Sequence, residues 1–385
     1  MRGLLEEIAG KAGIEASGED MPEDPGPQVD RAEELQEKWR VQRGQVWEIG
    51  KHRLMCGDST SAADWAALLQ PRERASLVHA DPPYGMGKEG DGIANDNLYA
   101  EKLDRFQMAW WSALRGFVAD NASVYIWGNP EDLWRLWYVG GLSDSERMTF
   151  RNEITWRKGD GGRGVGTASQ RCYWPSERCL FFMLGAQGFN INADNYWEGW
   201  EPVRSYMAEQ VHKMGWTPKD VERITGVGMY SHWVTKSQFV FITEEHYKKL
   251  QAAAREYDGF KREYDELKRE YDELKREYDE LKREWYATRA VFDNTHSNMT
   301  DVWDFPMVTG ADRWQHATPK PVDMVERAVL SSSQIGDMVY APFSGTGPEL
   351  VACERTGRVA RAMEIEPKYC AVTLERLALM GLEPR

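Results

Sequence analysis

Asp337-Met338-Val339-Tyr340-Ala341-Pro342-Phe343-Ser344-Gly345-Thr346-Gly347 is the stretch that decides the fold of this chain. A short apolar run with strand character leads into a glycine-bearing turn, and Glu349-Leu350-Val351-Ala352-Cys353-Glu354-Arg355 then reads as a helix. Such a turn lets backbone amides approach a ligand and aims a helix N-terminus at it. Gly357 ends the helix, residues 358–363 read as the next strand, and Glu364 stands at its end. In a doubly wound sheet that acidic position reaches ribose hydroxyls. A dinucleotide fingerprint needs a third glycine three residues after Gly347, where Leu350 stands, so the turn predicts a nucleoside without a pyrophosphate.

Outward from this unit, residues 52–56, 77–80, 123–127, 152–157 and 180–184 are strand candidates and 106–118 a helix. The alternation predicts an α/β fold with a Rossmann-like, doubly wound, mostly parallel sheet, joined by 338–340 and 359–365. The strand candidate at 77–80 ends in Asp81-Pro82-Pro83-Tyr84. Two prolines in series fix φ and remove two N–H donors, leaving the Asp81 carboxylate and the Pro82 carbonyl as acceptors beside a flat Tyr84 ring. An exocyclic amine of a nucleobase, with two hydrogens and a π-face, matches all three. By itself Asp-Pro-Pro is more often merely a tight turn after a strand, and the distant glycine turn is what favours the site.

Together these pieces resemble the DNA amino-methyltransferases of the beta order, which place the catalytic tetrapeptide early, a target-recognition segment in the middle and Phe-x-Gly-x-Gly late. Cys56-Gly57-Asp58-Ser59, His316-Ala317-Thr318-Pro319-Lys320-Pro321 and Glu364-Ile365-Glu366-Pro367-Lys368-Tyr369 fit the same pattern, and the resemblance runs from about residue 41 onward. It implies a methyltransferase fold, S-adenosylmethionine as methyl donor and double-stranded DNA as partner. It further implies that Asp58 contacts the adenosine end of the cofactor, Glu364 its ribose, and Thr318 with Lys320 its methionine end. Phe343, Ser344, Gly345, Thr346 and Gly347 line the cofactor turn. Asp81, Pro82, Pro83 and Tyr84 are the implied catalytic residues. The Asp-Pro-Pro-Tyr form goes most often with adenine N6, while cytosine N4 poses the same hydrogen-bonding problem. Residues 85–98, with glycines at 85, 87, 90 and 92, suit a lid over a flipped base.

Five cysteines without a Cys-x-x-Cys pair and seven scattered histidines predict reduced thiols and no metal, and His79 reads as a packed or hydrogen-bonded residue. No apolar stretch reaches membrane-spanning length, so a cytoplasmic protein is expected. The net charge of −14 argues superficially against DNA, but location matters more than the total. Residues 151–178 carry Arg151, Arg157, Lys158, Arg163, Arg171 and Arg178 against Glu153, Asp160 and Glu177. The glycine-rich loop at 159–166 either follows a phosphate backbone or is an ordinary surface loop. Arg157, Lys158, Arg163, Arg171 and Lys236 are the candidate DNA contacts.

Four segments are expected. Residues 1–40 form a disordered acidic tail and short helix. Residues 41–188 supply the catalytic part, 189–300 the target-recognition region, and 301–385 the cofactor-binding part. Within the recognition region, helices over 218–224 and 229–239 joined by Thr225-Gly226-Val227-Gly228 fit a helix-turn-helix, with Tyr230, Ser231, His232 and Lys236 outward, or a plain helical hairpin. The heptad Arg262-Glu263-Tyr264-Asp265-Glu266-Leu267-Lys268 recurs from Arg269 and Arg276, predicting one heptad-repeat helix over 250–285, roughly 50 Å long. A self-association coil giving a homodimer, a helix packed along its own domain, and a solvated spacer are the three readings, with the first expected.

Overall fold

The computed structural model describes residues 23–87, 89, 93–145, 148–158, 176–190, 197–236, 239–257, 259–294, 300–308 and 319–385. They fall into two compact units, Met1–Gln187 with Arg289–Phe292 and His296–Arg385, and Gly188–Thr288 with Asp293–Thr295. The strands are β1 (Val46–Ile49), β2 (His52–Cys56), β3 (Ala75–Ala80), β4 (Val118–Gly128), β5 (Met148–Arg157), β6 (Glu177–Leu184), β7 (Gln187–Asn190), β8 (Ala290–Asp293), β9 (Val302–Asp304), β10 (Met338–Ala341) and β11 (Val359–Glu364). Among the described residues no helix is long and apolar enough to cross a membrane.

The first unit holds a nine-stranded sheet in the order β1-β2-β11-β10-β3-β4-β6-β5-β9. From β2 to β4 every pairing is parallel, whereas β6 runs antiparallel to both β4 and β5. Alternation along the strands explains why both faces are covered. Leu77, Tyr125 and Trp127 enter one apolar core with the helices Val322–Ser332, Pro348–Arg355 and Pro367–Leu379. Val78, Val124 and Ile126 enter a second core with Ala62–Leu68, Glu101–Arg115 and Pro130–Tyr138. A parallel sheet buried on both faces reads as continuous apolar runs, which is why the sequence pattern found these strands. The short edge strands β1 and β9 lack that signal. The helix expected over 106–118 runs Glu101–Arg115 and stops at Gly116, so Val118 opens β4 instead.

The strand order fixes where a ligand fits. The chain leaves β10 for β11 on one side and leaves β3 for β4 on the other, so the order reverses between β10 and β3. The crevice beyond the carboxyl ends of strands at such a reversal is the binding position of open α/β sheets. The turns after β10 and β3 are Phe343–Gly347 and Asp81–Tyr84.

Within the segment expected as tail and short helix, the described residues include the helix Ala32–Trp39. Asp24 makes a two-toothed ion pair with Arg376 at 2.7 and 2.6 Å, and Trp39 Nε1 donates to Glu375 at 2.9 Å. Residues 24–39 are therefore a packed arm on Pro367–Leu379, held by polar partners that hydropathy does not reveal. Arg376 also donates to the Thr346 carbonyl at 3.0 Å, linking the arm to the glycine turn. Removing one partner of a buried pair leaves the other charge uncompensated. Asp24→Asn is expected to lower the unfolding free energy by about 3 kcal/mol, read from urea denaturation.

The second unit is helical. Glu201–Lys213, Pro218–Thr225, Glu244–Ala253 and Tyr264–Ala287 surround a core of Met207, Val211, Val221, Trp233, Tyr247, Leu250, Phe260 and Leu267. Thr217 and Asp220 form a capping box that starts Pro218–Thr225, and Gly226 at φ 84° ends it. The partner helix is only Tyr230–Val234, with Trp233 in the core, shorter than the 229–239 expected for a groove-reading helix. Nor is 250–285 one helix. It breaks after Ala253, passes a 3₁₀ turn at Arg255–Tyr257 and Phe260 at φ 52°, and resumes at Tyr264. Phe260 lies wholly buried at the break, so its burial outweighs the helical period. The repeat's seam is used at home, because Tyr271 stacks on Trp200 at 4.9 Å and on Phe241 at 4.6 Å, and Tyr278 meets Trp197 and Trp200. Burial fades along the seam, from Leu267 at 0% exposure to Leu281 at 53%.

Candidate active site

β3 delivers Asp81 directly from its carboxyl end. The turn that follows is held by Asp96, whose carboxylate accepts from the amides of Tyr84, Gly85 and Met86 at 2.9, 3.0 and 3.1 Å. Three amides on one buried carboxylate form a rigid frame. Gly85 has φ 73°, and a Cβ there would lie 2.3 Å from the Leu98 carbonyl, so glycine is required. The described part of the expected lid is thus tied to the Asp81–Tyr84 turn. Pro83 accepts from Gln107 Nε2 at 3.2 Å.

The Asp81 carboxylate is not solitary. Lys320 Nζ donates to its two oxygens at 2.7 and 2.6 Å and lies 3.0 Å from the Tyr84 hydroxyl, which itself donates to Asp81 Oδ1 at 2.6 Å. Glu177, the first residue of β6, stands 3.1 Å from the same ammonium, and its other oxygen takes Lys158. Tyr84, Trp127 and Trp156 wall the ammonium, with ring centroids 5.2, 5.8 and 5.8 Å away. Burial alone would raise the Glu177 carboxyl, but Lys320 and Lys158 outweigh it and hold it at about 2. Burial would likewise lower Lys320, and the charges of Asp81 and Glu177 outweigh that and raise it, so it stays an ammonium. Burial, then the charges of Asp81 and Glu177, push the Tyr84 phenol well above its usual value, so it remains a neutral donor.

Behind this cluster a buried chain runs to the glycine turn. Trp127 Nε1 donates to His79 Nε2 at 2.9 Å, which leaves His79 Nδ1 to donate to Glu349 Oε1 at 3.0 Å. His79 is therefore a hydrogen-bonded core residue, as its sequence context suggests. Among the described residues no group of His, Cys, Asp or Glu could hold a metal ion.

The second half of the site follows β10. Phe343 packs edge-on against Trp110, with centroids 5.6 Å apart. Gly345 and Gly347 take φ 51° and 79°, and the helix Pro348–Arg355 starts immediately after. Glu364, ending β11, accepts from the amides of Gly345 and Glu366 at 2.8 Å each. Asp58 lies one residue beyond Gly57, whose amide donates to the Glu364 carbonyl at 2.9 Å. Its own carboxylate accepts from Thr60 at 2.9 and 2.8 Å. The hydroxyls of Ser344 and Thr346 are buried without a hydrogen-bond partner among the described residues. Two unsatisfied hydroxyls and a carboxylate with spare lone pairs fit a ligand carrying hydroxyl and amino groups, as the nucleoside of S-adenosylmethionine does.

Burial lifts the Glu364 carboxyl from 4.5 to about 7, although amides from Glu366 and Gly345 favour the ionised form. A folded-state value above the unfolded one means that folding takes up a proton in this window. The group therefore costs stability increasingly as pH rises from about 4.5 to about 7, and by a constant amount above. Glu364→Gln should gain stability relative to the unsubstituted chain by on the order of 3 kcal/mol more at pH 8 than at pH 5. Urea curves at the two pH values check this, and the lost amide partner cancels in the difference.

The structure thus brings together Asp58, Phe343–Gly347 and Glu364 at one sheet edge, and Asp81, Tyr84 and Lys320 at the neighbouring turn. Thr318, Arg163 and Arg171 lie outside the described residues. Arg157 is paired with Asp304 across β5 and β9, and Lys158 with Glu177. Lys236, in the second unit, is paired with Glu198 at 3.2 Å. Each of the three described candidates thus has an acidic partner of its own. Asp96 and Glu177 were not singled out from sequence, because an acid counted in a charged loop gives no sign of the amides or ammonium it meets.

A family model described as DNA methylase matches residues 75–375. The type II methyltransferase M.HpaI of Haemophilus parainfluenzae is 34% identical over 330 residues, covering 84% of this chain and 74% of that protein. The chain therefore belongs to the N6/N4 DNA methylase family, whose cofactor is S-adenosylmethionine. The type II methyltransferase M2.DpnII of Streptococcus pneumoniae is 33% identical over 86 residues, 22% of this chain and 32% of that protein, so the match spans about a third of that relative. The crystal structure of the M1.HpyAVI complex with S-adenosylmethionine aligns with a TM-score of 0.45 at 12% identity, covering 84% of this chain and 98% of that one.

Proposed function

We propose that this protein transfers the methyl group of S-adenosylmethionine to the exocyclic N6 of an adenine flipped out of double-stranded DNA. The observation that carries the reading is the meeting of the Asp81 turn and the Phe343–Gly347 turn at the strand-order reversal, with Glu364 beside the second. When bound, the cofactor supplies a methyl group on a positively charged sulfur. Ser344, Thr346, Asp58 and Glu364 would hold its adenosine, while Thr318 would serve its methionine end.

An aromatic amine is a weak nucleophile because its lone pair is delocalised into the ring. Asp81 and the Pro82 carbonyl, accepting both amino hydrogens, favour a pyramidal nitrogen whose lone pair is free to attack, and the fixed dipoles need no reorganisation during the reaction. Tyr84 gives the flipped base a face to stack on. Assignment to adenine rests on the Asp-Pro-Pro-Tyr form. The second unit is the region we assign to target recognition, with Lys236 on its surface. Tyr271 and Tyr278 are already packed within that unit, so any homodimer would use the seam beyond them, where Leu281 is exposed.

The test is incubation with methyl-labelled S-adenosylmethionine and unmethylated genomic DNA, followed by digestion to nucleosides. Label on N6-methyladenine is expected. Label on N4-methylcytosine would move the assignment to the other amine, and label only on RNA or protein would overturn the substrate class.

A further inference from the structure

Both oxygens of Asp81 are already occupied by this protein's own ammonium. Lys320 Nζ donates to each, touches the Tyr84 hydroxyl and lies over the Tyr84, Trp127 and Trp156 rings. A nitrogen bearing hydrogens, bonded to Asp81 and set beside an aromatic face, offers the same contacts as the exocyclic amine of a base. Lys320 and Tyr84 together take three of the roughly four acceptor sites of Asp81, so the amine competes with Lys320 for this carboxylate. An ammonium whose side chain is 3% exposed cannot simply let go either, because an unpaired buried charge costs several kcal/mol. Glu177 is the second carboxylate within reach, at 3.1 Å, and its present partner Lys158 is the more exposed of the two lysines, at 23%.

We propose that Lys320 is a tethered occupant of the target-amine position, and that Glu177 is the positioning residue that receives its ammonium when the amine docks on Asp81. The proposal rests on the reading of Asp81 as acceptor of the target amine. The exchange keeps the buried ammonium paired throughout. Before it, Lys320 bridges Asp81 and Glu177, and Lys158 also pairs with Glu177. After it, Lys320 pairs with Glu177, Asp81 holds the amine, and Lys158 turns to solvent. No proton moves between the carboxylates. Glu177 also accepts from the Tyr84 hydroxyl at 3.2 Å, but its part in the exchange exists only while Lys320 is present.

That condition is tested by a double-mutant cycle on the full chain, with methyl-labelled S-adenosylmethionine and a DNA that the unsubstituted protein methylates. Glu177→Gln should lower kcat/KM for DNA by roughly tenfold or more, chiefly through KM, and leave cofactor affinity unchanged by calorimetry. In a Lys320→Met background the same substitution should change kcat/KM less than about twofold. Glu177→Gln as active as the unsubstituted enzyme, or equally damaging in both backgrounds, would overturn the proposal. Should Glu177→Gln alone fail to fold by circular dichroism, the double variant still decides, since it must match Lys320→Met. An unsubstituted protein that leaves DNA unlabelled overturns the reading of Asp81 and this proposal with it, whereas an active one with an indifferent Glu177 overturns this proposal alone.

Discussion

Asp81→Ala will abolish most DNA methylation, lowering kcat by roughly 10²–10³-fold or more, the range that follows removal of one preorganised polar group from a reacting centre. The expectation follows from position. Asp81 directly follows a strand buried at every residue but Ser76, its turn is fixed by three amides on Asp96, and its oxygens already bind a nitrogen. Folding should survive the change, because Lys320 keeps Glu177 as a counter-charge. Cofactor affinity should be preserved as well, since the glycine turn and Glu364 belong to other strands. Asp81→Asn keeps one acceptor oxygen and should fall between the two. Single-turnover kinetics with labelled S-adenosylmethionine make the measurement. Activity of Asp81→Ala within tenfold of the unsubstituted enzyme would remove Asp81 from the chemistry.

Gly347→Ala is expected to be nearly as damaging, through the cofactor. A Cβ at this position would lie 2.5 Å from Thr373 Cγ2 and 3.0 Å from its Oγ1, and the backbone sits at φ +79°. Either the turn or the helix bearing Thr373 must shift, and the Thr346 carbonyl that Arg376 holds at 3.0 Å moves with it. We expect a loss of about 1–3 kcal/mol in stability and a larger loss in cofactor binding, read by thermal unfolding and calorimetry. Adding Thr373→Ala should restore the part due to crowding and not the part due to φ. Unchanged cofactor affinity in Gly347→Ala would show that the turn does not carry the ligand.

The parallel core of the sheet was legible in the sequence because burial on both faces writes itself as apolar runs between turn residues. Residues 52–56, 77–80 and 338–340 fall inside or on observed strands. The turns at 81–84 and 343–347 were legible for a related reason, since proline fixes φ and glycine marks positions that need unusual backbone angles. What stayed hidden depended on partners far along the chain. Glu177 meets Lys320, and Asp24 meets Arg376, across separations of 143 and 352 residues. The heptad pattern misled in the opposite way. Its period is genuine from Tyr264 onward, but the burial of Phe260 bends the chain where the pattern alone would have continued the helix.

The pairing of β3 with β10 has a consequence for how freely the gene can vary. These neighbours close a loop of roughly 260 residues that contains the whole helical unit and its heptads. Closure entropy grows only with the logarithm of loop length, so one heptad more or fewer changes it by roughly a few hundredths of a kcal/mol. The nine-stranded sheet is therefore thermodynamically blind to the copy number of the repeat. Tandem duplication or loss of that seven-residue block is free to proceed under whatever selection acts on the helical unit itself.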